Sequence, residues 1–494
     1  MHKYFLSLIP FVFFLFFSCG NDTSNTRIPL STNSIKVSNL YHDAIALNNI
    51  YKSSEAKEKL LEAIEIDSNF AAGYLLLSTF NINSVSETDK YYERALALEG
   101  KMNDVERCFL DIRSSYRSND VKQRVKASKK LIELIPENAI AHERMSYTNY
   151  EMADIEASRK SALKAIGCDK YYSPAYNILV NSYTFAEPKS FDKAEIYAKE
   201  ALSFNKNKSF YHVMLGDVYR AQNKLEEAAE KYDDAFKVGT NNWLSAAKAG
   251  HAYTMFDPSE ARKRFDQAIN EAKTKNQKIG PEYAKVYTYL HQNDFSMALE
   301  QVSSIKKNLN SYDFTSQEID SELSDLLWHE YFIYSHSGQY ESAKKSLAEK
   351  SKIDIELAKL SKNEKSLYNT KSTLLWMESH LEIMKGNYDI AKSKLSLLKE
   401  RVSDSSDPKR FDGYNNLMGM ANLMSGNANI GVDHFESVID EGNIYFQYFK
   451  GLSYKASGKL EEARKVFDYV AKYNFNGLVY TVVRNKAIEE IKKG

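Results

Sequence analysis

Apolar residues recur along most of this chain at helical spacing. Ala463, Val466, Phe467 and Val470 stand at i, i+3, i+4 and i+7, which gathers them on one face of a helix. Similar stripes are separated by short polar breaks such as Gln222-Asn223-Lys224, and a break of that kind predicts a turn. Nowhere does an alternating run rich in β-branched residues compel a strand. With only 8 Pro and 19 Gly in 494 residues, helices meet few interruptions. The pattern predicts an all-α chain of paired helices.

The pairs repeat. The clearest copy spans residues 211–242, with Leu215, Gly216 and Tyr219 on its first helix and Ala228, Tyr232 and Ala235 on its second. Gly451, Tyr454, Gly458, Ala463, Phe467 and Val470 restate that skeleton near the C-terminus. Looser copies run through Gly250 and Phe265, Tyr334 and Gly338, Gly386 and Ala391, and Gly419 and Phe435. Small residues let two antiparallel helices approach, and Tyr219 and Tyr232 are expected to fill the space between one pair and the next. The skeleton resembles the tetratricopeptide repeat, W-x2-L-G-x2-Y…A-x3-F, with His212 at the Trp position. The resemblance implies a right-handed solenoid of antiparallel helix pairs, a tetratricopeptide superhelix. Residues 37–477 divide into about twelve units of about 37 residues, longer than a typical ~34. The surplus is expected as long turns, chiefly at 306–322 and 350–370. Residues 478–494 read as a capping helix over the last apolar face.

The N-terminus has a different pattern. Residues 1–18 carry Lys3 and then an apolar run over 4–17, too short to span a bilayer and typical of a cleaved signal. Phe16-Phe17-Ser18-Cys19-Gly20 resembles a bacterial lipobox, which implies that Cys19 becomes the lipidated mature N-terminus. Residues 19–36, rich in Asn, Ser and Thr, read as a flexible tether. No Asp directly follows Cys19, and similarity to enterobacterial sorting then implies the outer membrane of the cell envelope. Cys108 and Cys168 lack CxxC-type spacing. They read as small buried hydrophobes, with a disulfide as the alternative.

Charge and motifs remove other classes. The 66 basic and 66 acidic residues cancel, leaving no field to draw in nucleic acid. The basic stretch at Lys122, Arg124, Lys126, Lys129 and Lys130 reads as a solvated helix face. There is no zincin, dinucleotide-binding, phosphate-loop, nucleophile-elbow or EF-hand motif. His251, His336 and His380 read as surface or packed helix residues, so neither a metal, a cofactor nor an enzyme is expected.

In tetratricopeptide solenoids the first helix of each unit faces the concave groove where partners bind. The resemblance therefore places Tyr41, Tyr74, Tyr147, Tyr183, Val213, Tyr283, Tyr287, Trp328, Phe332, Trp376, Tyr445 and Tyr448 on the inner wall. Packing between repeats is the competing role for each ring. The basic and Asn pattern that clamps a partner's C-terminal carboxylate does not stand out. The expectation is a lipid-anchored scaffold that binds a protein or peptide in its groove, accessory to an outer-membrane uptake or polysaccharide-utilisation system. The alternative is a glycan-binding lipoprotein resembling the starch-utilisation outer-membrane lipoproteins.

Overall fold

The computed structural model describes residues 26–493 except 51, 81, 119, 240–242, 361–363, 406 and 475. The signal segment and Cys19 therefore lie outside the described residues. Among those described, the secondary structure is helical and no strand occurs. The described residues form two compact units that part between Lys189 and Ser190, and each is taken by itself.

In the first unit, α1 (Ile35–Asn48) packs on α2 (Ser53–Ile66), and α3 (Ala71–Leu77) on α4 (Val85–Ala97). Then α5 (Asp104–Ser118) packs on α6 (Val121–Leu134), α7 (Ala139–Glu151) on α8 (Ile155–Cys168), and α9 (Ser173–Phe185) comes last. Cys108 is buried and Cys168 half-buried, and no disulfide joins them.

The second unit opens with α10 (Phe191–Phe204), whose Ala194, Ala198 and Ala201 are buried. Its pairs are α11 (Ser209–Ala221) with α12 (Leu225–Val238), α13 (Trp243–Tyr253) with α14 (Pro258–Glu271), and α15 (Lys275–His291) with α16 (Phe295–Asn308). They continue with α17 (Ser316–His336) and α18 (Tyr340–Leu360), α19 (Glu364–Met384) and α20 (Tyr388–Val402), α21 (Asp412–Met424) and α22 (Ala428–Glu436), and α23 (Ile444–Ala456) and α24 (Leu460–Lys472). Two short helices, α25 (Leu478–Thr481) and α26 (Arg484–Lys493), end the chain.

The tandem helix pair read from the sequence is thus the building block. Within a pair, an aromatic ring of the second helix lies over a glycine of the first. A methyl group at Gly216 would come within 2.6 Å of Tyr232, at Gly250 within 2.6 Å of Phe265, at Gly419 within 2.8 Å of Phe435, and at Gly451 within 2.6 Å of Phe467. Tyr232 therefore fills its own pair as well as the space before the next. It is buried, and its hydroxyl donates to Asp217 at 2.7 Å.

The turn inside the pair also repeats. Ala153, Asn223, Asn293, Gly338, Gly386, Gly426 and Gly458 all take positive φ, between 57° and 88°. The next residue's N–H then reaches the carbonyl five residues back, as in Lys224 to Tyr219 at 2.9 Å and Lys459 to Tyr454 at 2.9 Å. This is the Schellman closure, which satisfies helix-end carbonyls.

Three expectations change. Residues 27–36, expected as the end of a flexible tether, pack on the first unit: Ile28 is buried, the Ser31 N–H donates to Glu106 at 3.0 Å, and Asn138 donates to the Arg27 carbonyl at 2.9 Å. The surplus residues near 306–322 and 350–370 mostly lengthen helices: α17, α18 and α19 are 21 residues each. The stretch 350–360 holds no Pro or Gly to stop α18, so it continues. The C-terminal segment, expected as one helix, is split at Val482 and Val483, both buried. Adjacent positions on one regular helix point about 100° apart, and the break lets both valines face inward.

The C-terminal segment also does more than cover the last pair. While α26 lies on α24, α25 touches α15 and α23. Just before it, Arg220 of α11 donates to the Asn474 carbonyl at 2.8 and 3.1 Å. The Asn476 side chain lies 3.3 Å from His291 of α15 and 3.3 Å from His251 of α13. The end of the chain thus crosses the first helices of the second unit's opening pairs.

Candidate functional site

Three first helices of the second unit bring their aromatic stripes together. Asp325, Trp328 and Phe332 stand at i, i+3 and i+7 on α17, while Thr373, Trp376, Met377 and His380 repeat that spacing on α19. Asn443, Tyr445 and Phe446 come from the start of α23, Lys350 from α18 and Val479 from α25. These twelve residues line one open cavity of about 330 Å³, at the small end of ligand pockets, which run roughly 300–1,000 Å³.

The wall is built of rings in contact. Trp376 stacks on His380 with centroids 5.8 Å apart and planes within 3°, and Trp328 stacks on Tyr331 at 5.4 Å. Phe332 lies 5.7 Å from Tyr445, and Phe446 meets Trp376 edge-on at 6.1 Å. Both tryptophans are half-buried, whereas Phe332, His380 and Tyr445 are buried.

Beneath them runs a closed hydrogen-bond chain. The Tyr331 hydroxyl donates to the Met377 carbonyl at 2.8 Å and sits 2.8 Å from His380 Nδ1. His380 Nε2 is 3.0 Å from the Tyr445 hydroxyl, which is 3.2 Å from His336 Nε2. One proton arrangement satisfies every contact. His380 Nδ1–H donates to Tyr331, the Tyr445 hydroxyl donates to His380 Nε2, and His336 Nε2–H donates to Tyr445.

Burial pushes the His380 imidazole down to about 4. His336 falls well below its ordinary range through burial, with the neighbouring His380 and Lys486 adding to it. Burial likewise pushes both tyrosine hydroxyls up. The chain is neutral near pH 7 and its polar atoms are spent on one another. The cavity floor therefore presents flat, uncharged surface.

The other expected groove residues are spread through both units. In the first, Tyr41 is buried edge-on to Phe70 at 5.5 Å, and Tyr147 is half-buried. Tyr74 lies under the Arg94 guanidinium at 5.6 Å and Tyr183 under Arg159 at 4.0 Å. In the second, Val213 is half-buried, and Tyr283 and Tyr287 both stack on His329, at 5.0 and 5.9 Å. Tyr448 is buried against Phe449 and Phe467. Of the expected set, the structure gathers Trp328, Phe332, Trp376 and Tyr445 into one pocket. Met377, Asn443, Phe446 and Val479 were missed, since nothing in their local spacing marks them as neighbours of the tryptophans. His336 and His380 were noted singly, but no motif spacing shows that their rings lie 6.3 Å apart.

No group of His, Cys, Asp and Glu among the described residues is arranged to hold a metal ion, and no described helix is long and apolar enough to cross a membrane. No family model and no curated protein matches the chain. Among solved structures it is similar to the MamA protein, at 20% identity over 32% of this chain and 93% of that one, with a TM-score of 0.28. It is similar to a thermophilic TPR protein of Thermus thermophilus, at 14% identity over 35% and 94%, with a TM-score of 0.29. It is also similar to a tetratricopeptide repeat protein from Parabacteroides merdae, at 15% identity over 64% and 98%, with a TM-score of 0.34.

Proposed function

We propose that this chain is a non-catalytic binding scaffold whose partner, a protein segment, seats in the aromatic pocket of the second unit. The observation that carries this is the placement of Trp328 and Trp376, two of only three tryptophans in the chain, in one open cavity. Half-buried tryptophans in a concave, mostly apolar wall are the usual anchors of an interface. The lipobox-like sequence at Cys19 supports a lipid anchor, and with it attachment to the bacterial envelope at the outer membrane. A role beside an uptake or polysaccharide-utilisation system belongs to the same reading.

A glycan remains the second reading, because a tryptophan face also suits a sugar ring. A sugar, however, needs several hydrogen-bond partners, and the tyrosines and histidines of the floor are already committed.

Two experiments test the proposal. Labelled palmitate should enter the wild-type chain and not Cys19→Ala, and equal labelling of both would remove the anchor. For the pocket, partner recovery from an envelope extract and melting temperature are measured together on Trp328→Ala and Trp376→Ala. Truncating an anchor costs about 2 kcal/mol of binding, roughly thirtyfold in affinity. Variants that melt earlier yet recover the partner unchanged would show that the rings only hold the repeats together.

A further inference from the structure

We propose that the pocket receives a cationic side chain of the partner, arginine in preference to lysine. This rests on the binding reading above and adds the chemistry of the group that is bound.

Charge is the first argument. Only two charged side chains line the cavity, Asp325 and Lys350. Lys350 is already neutralised, with its ammonium 3.0 Å from Asp354 Oδ2 and donating to Ser324 Oγ at 2.6 Å. Asp325 stands exposed at the mouth, and no hydrogen bond or ion pair reaches its carboxylate among the described residues. Lys350 also attracts Asp325, but it faces two carboxylates, Asp325 and Asp354, so the mouth keeps a net negative charge one helical turn from Trp328.

The walls point the same way. The face of an indole is electronegative and attracts a cation, more strongly where water is excluded. Elsewhere the chain covers its own rings in this manner: Arg117 lies 4.4 Å over Tyr92, Arg159 4.0 Å over Tyr183, Arg262 4.5 Å over Tyr289 and Arg401 4.4 Å over Tyr368. No such cation covers Trp328 or Trp376 among the described residues. They are open rings of the kind this fold otherwise caps with arginine.

The floor selects the rest of the side chain. With His380, Tyr331 and Tyr445 joined in one hydrogen-bond chain, the aromatic floor offers contact area but little polar reward, and the remaining polar lining, Thr373 and Asn443, is uncharged. That suits the methylene stem and flat guanidinium of arginine, which stacks on aromatic faces and is less strongly hydrated than an ammonium.

The test uses the mature chain labelled with 5-fluorotryptophan, whose three fluorine signals report Trp243, Trp328 and Trp376 separately. It is titrated with a neutral Gly-Ser peptide bearing one central arginine, and with the same peptide bearing lysine or the uncharged isostere citrulline. The arginine peptide should shift the signals of Trp328 and Trp376 and leave Trp243 in place. Replacing arginine by citrulline should weaken binding about tenfold, the scale of one lost charge contact, with lysine between. Asp325→Asn, a change at an exposed position, should narrow the gap between the arginine and citrulline peptides, leaving the part that the indole faces supply.

Equal affinity for arginine and citrulline overturns the inference, as does an arginine preference unaltered in Asp325→Asn. Signals of Trp328 and Trp376 that move with an oligosaccharide and with none of the peptides overturn it too, and favour the glycan reading. If no peptide shifts them at millimolar concentration while Trp376→Ala still loses the envelope partner, the cation preference falls and the binding scaffold stands.

Discussion

At Ala153 the backbone takes φ 59° in the same turn where later pairs carry glycine, as at Gly386 and Gly458. A Cβ in that left-handed region costs roughly 1–2 kcal/mol, and part of any gain from removing it is returned as unfolded-chain entropy. Ala153→Gly should therefore stabilise the first unit by about 0.5–1 kcal/mol, and Gly458→Ala should destabilise the second by about 1 kcal/mol. Thermal melts of the two variants decide it, and a lowered transition for Ala153→Gly would mean the turn is held by something other than its φ. Gly338, Gly386 and Gly458 were legible as repeat positions because glycine is what such a turn favours. Ala153 was not, since alanine carries no mark of the φ it must adopt.

The helix pair is held by matching a missing side chain to a ring. Phe467 is buried over Gly451, and a methyl group there would lie 2.6 Å from its ring. Neither helix can move without disturbing its other neighbours, so Gly451→Ala should cost about 1–3 kcal/mol, as overpacking does. Making room with Phe467→Leu in the same chain should recover part of that loss. In a double-mutant cycle the pair should cost less than the sum of the single changes, and strict additivity would show that the two positions do not share the crossing. Gly167, in α8, has nothing within 4 Å of its missing Cβ, and Gly167→Ala serves as a control that should be neutral or stabilising. The recurrence of glycine and ring was legible in the sequence, whereas the ring's place over the glycine of its own pair, and not only between pairs, was not.

Across the second unit, five histidines are held neutral by burial. His251 is pushed down to about 3, His291, His329 and His380 to about 4, and His336 well below its ordinary range. Each folded-state value lies below that of the unfolded chain, near 6.5, so the unfolded chain binds more protons as pH falls. Their stabilising contribution is complete above about pH 6.5 and is lost progressively toward pH 4, at up to ~1.4 kcal/mol per pH unit for each group. The transition of the second unit should fall steeply between pH 7 and 5, by several kcal/mol in aggregate. A melting temperature that stays flat over that range would place these rings in water.

The same scale separates what sequence could determine from what it could not. Helix pairs, their tight turns and the glycine–aromatic crossings arise from contacts within a few dozen residues, where side-chain size and spacing act directly. Trp328, Trp376 and Tyr445 instead converge from helices of three different pairs. Arg220 meets Asn474 across 254 residues of chain, and no local pattern encodes either meeting. Those contacts depend on how small rotations between successive pairs accumulate and on where the C-terminal segment finds room to bury Leu478, Tyr480, Val482 and Val483. An apolar stripe states that a face must be covered. Which distant element covers it is settled only when all the pairs have packed.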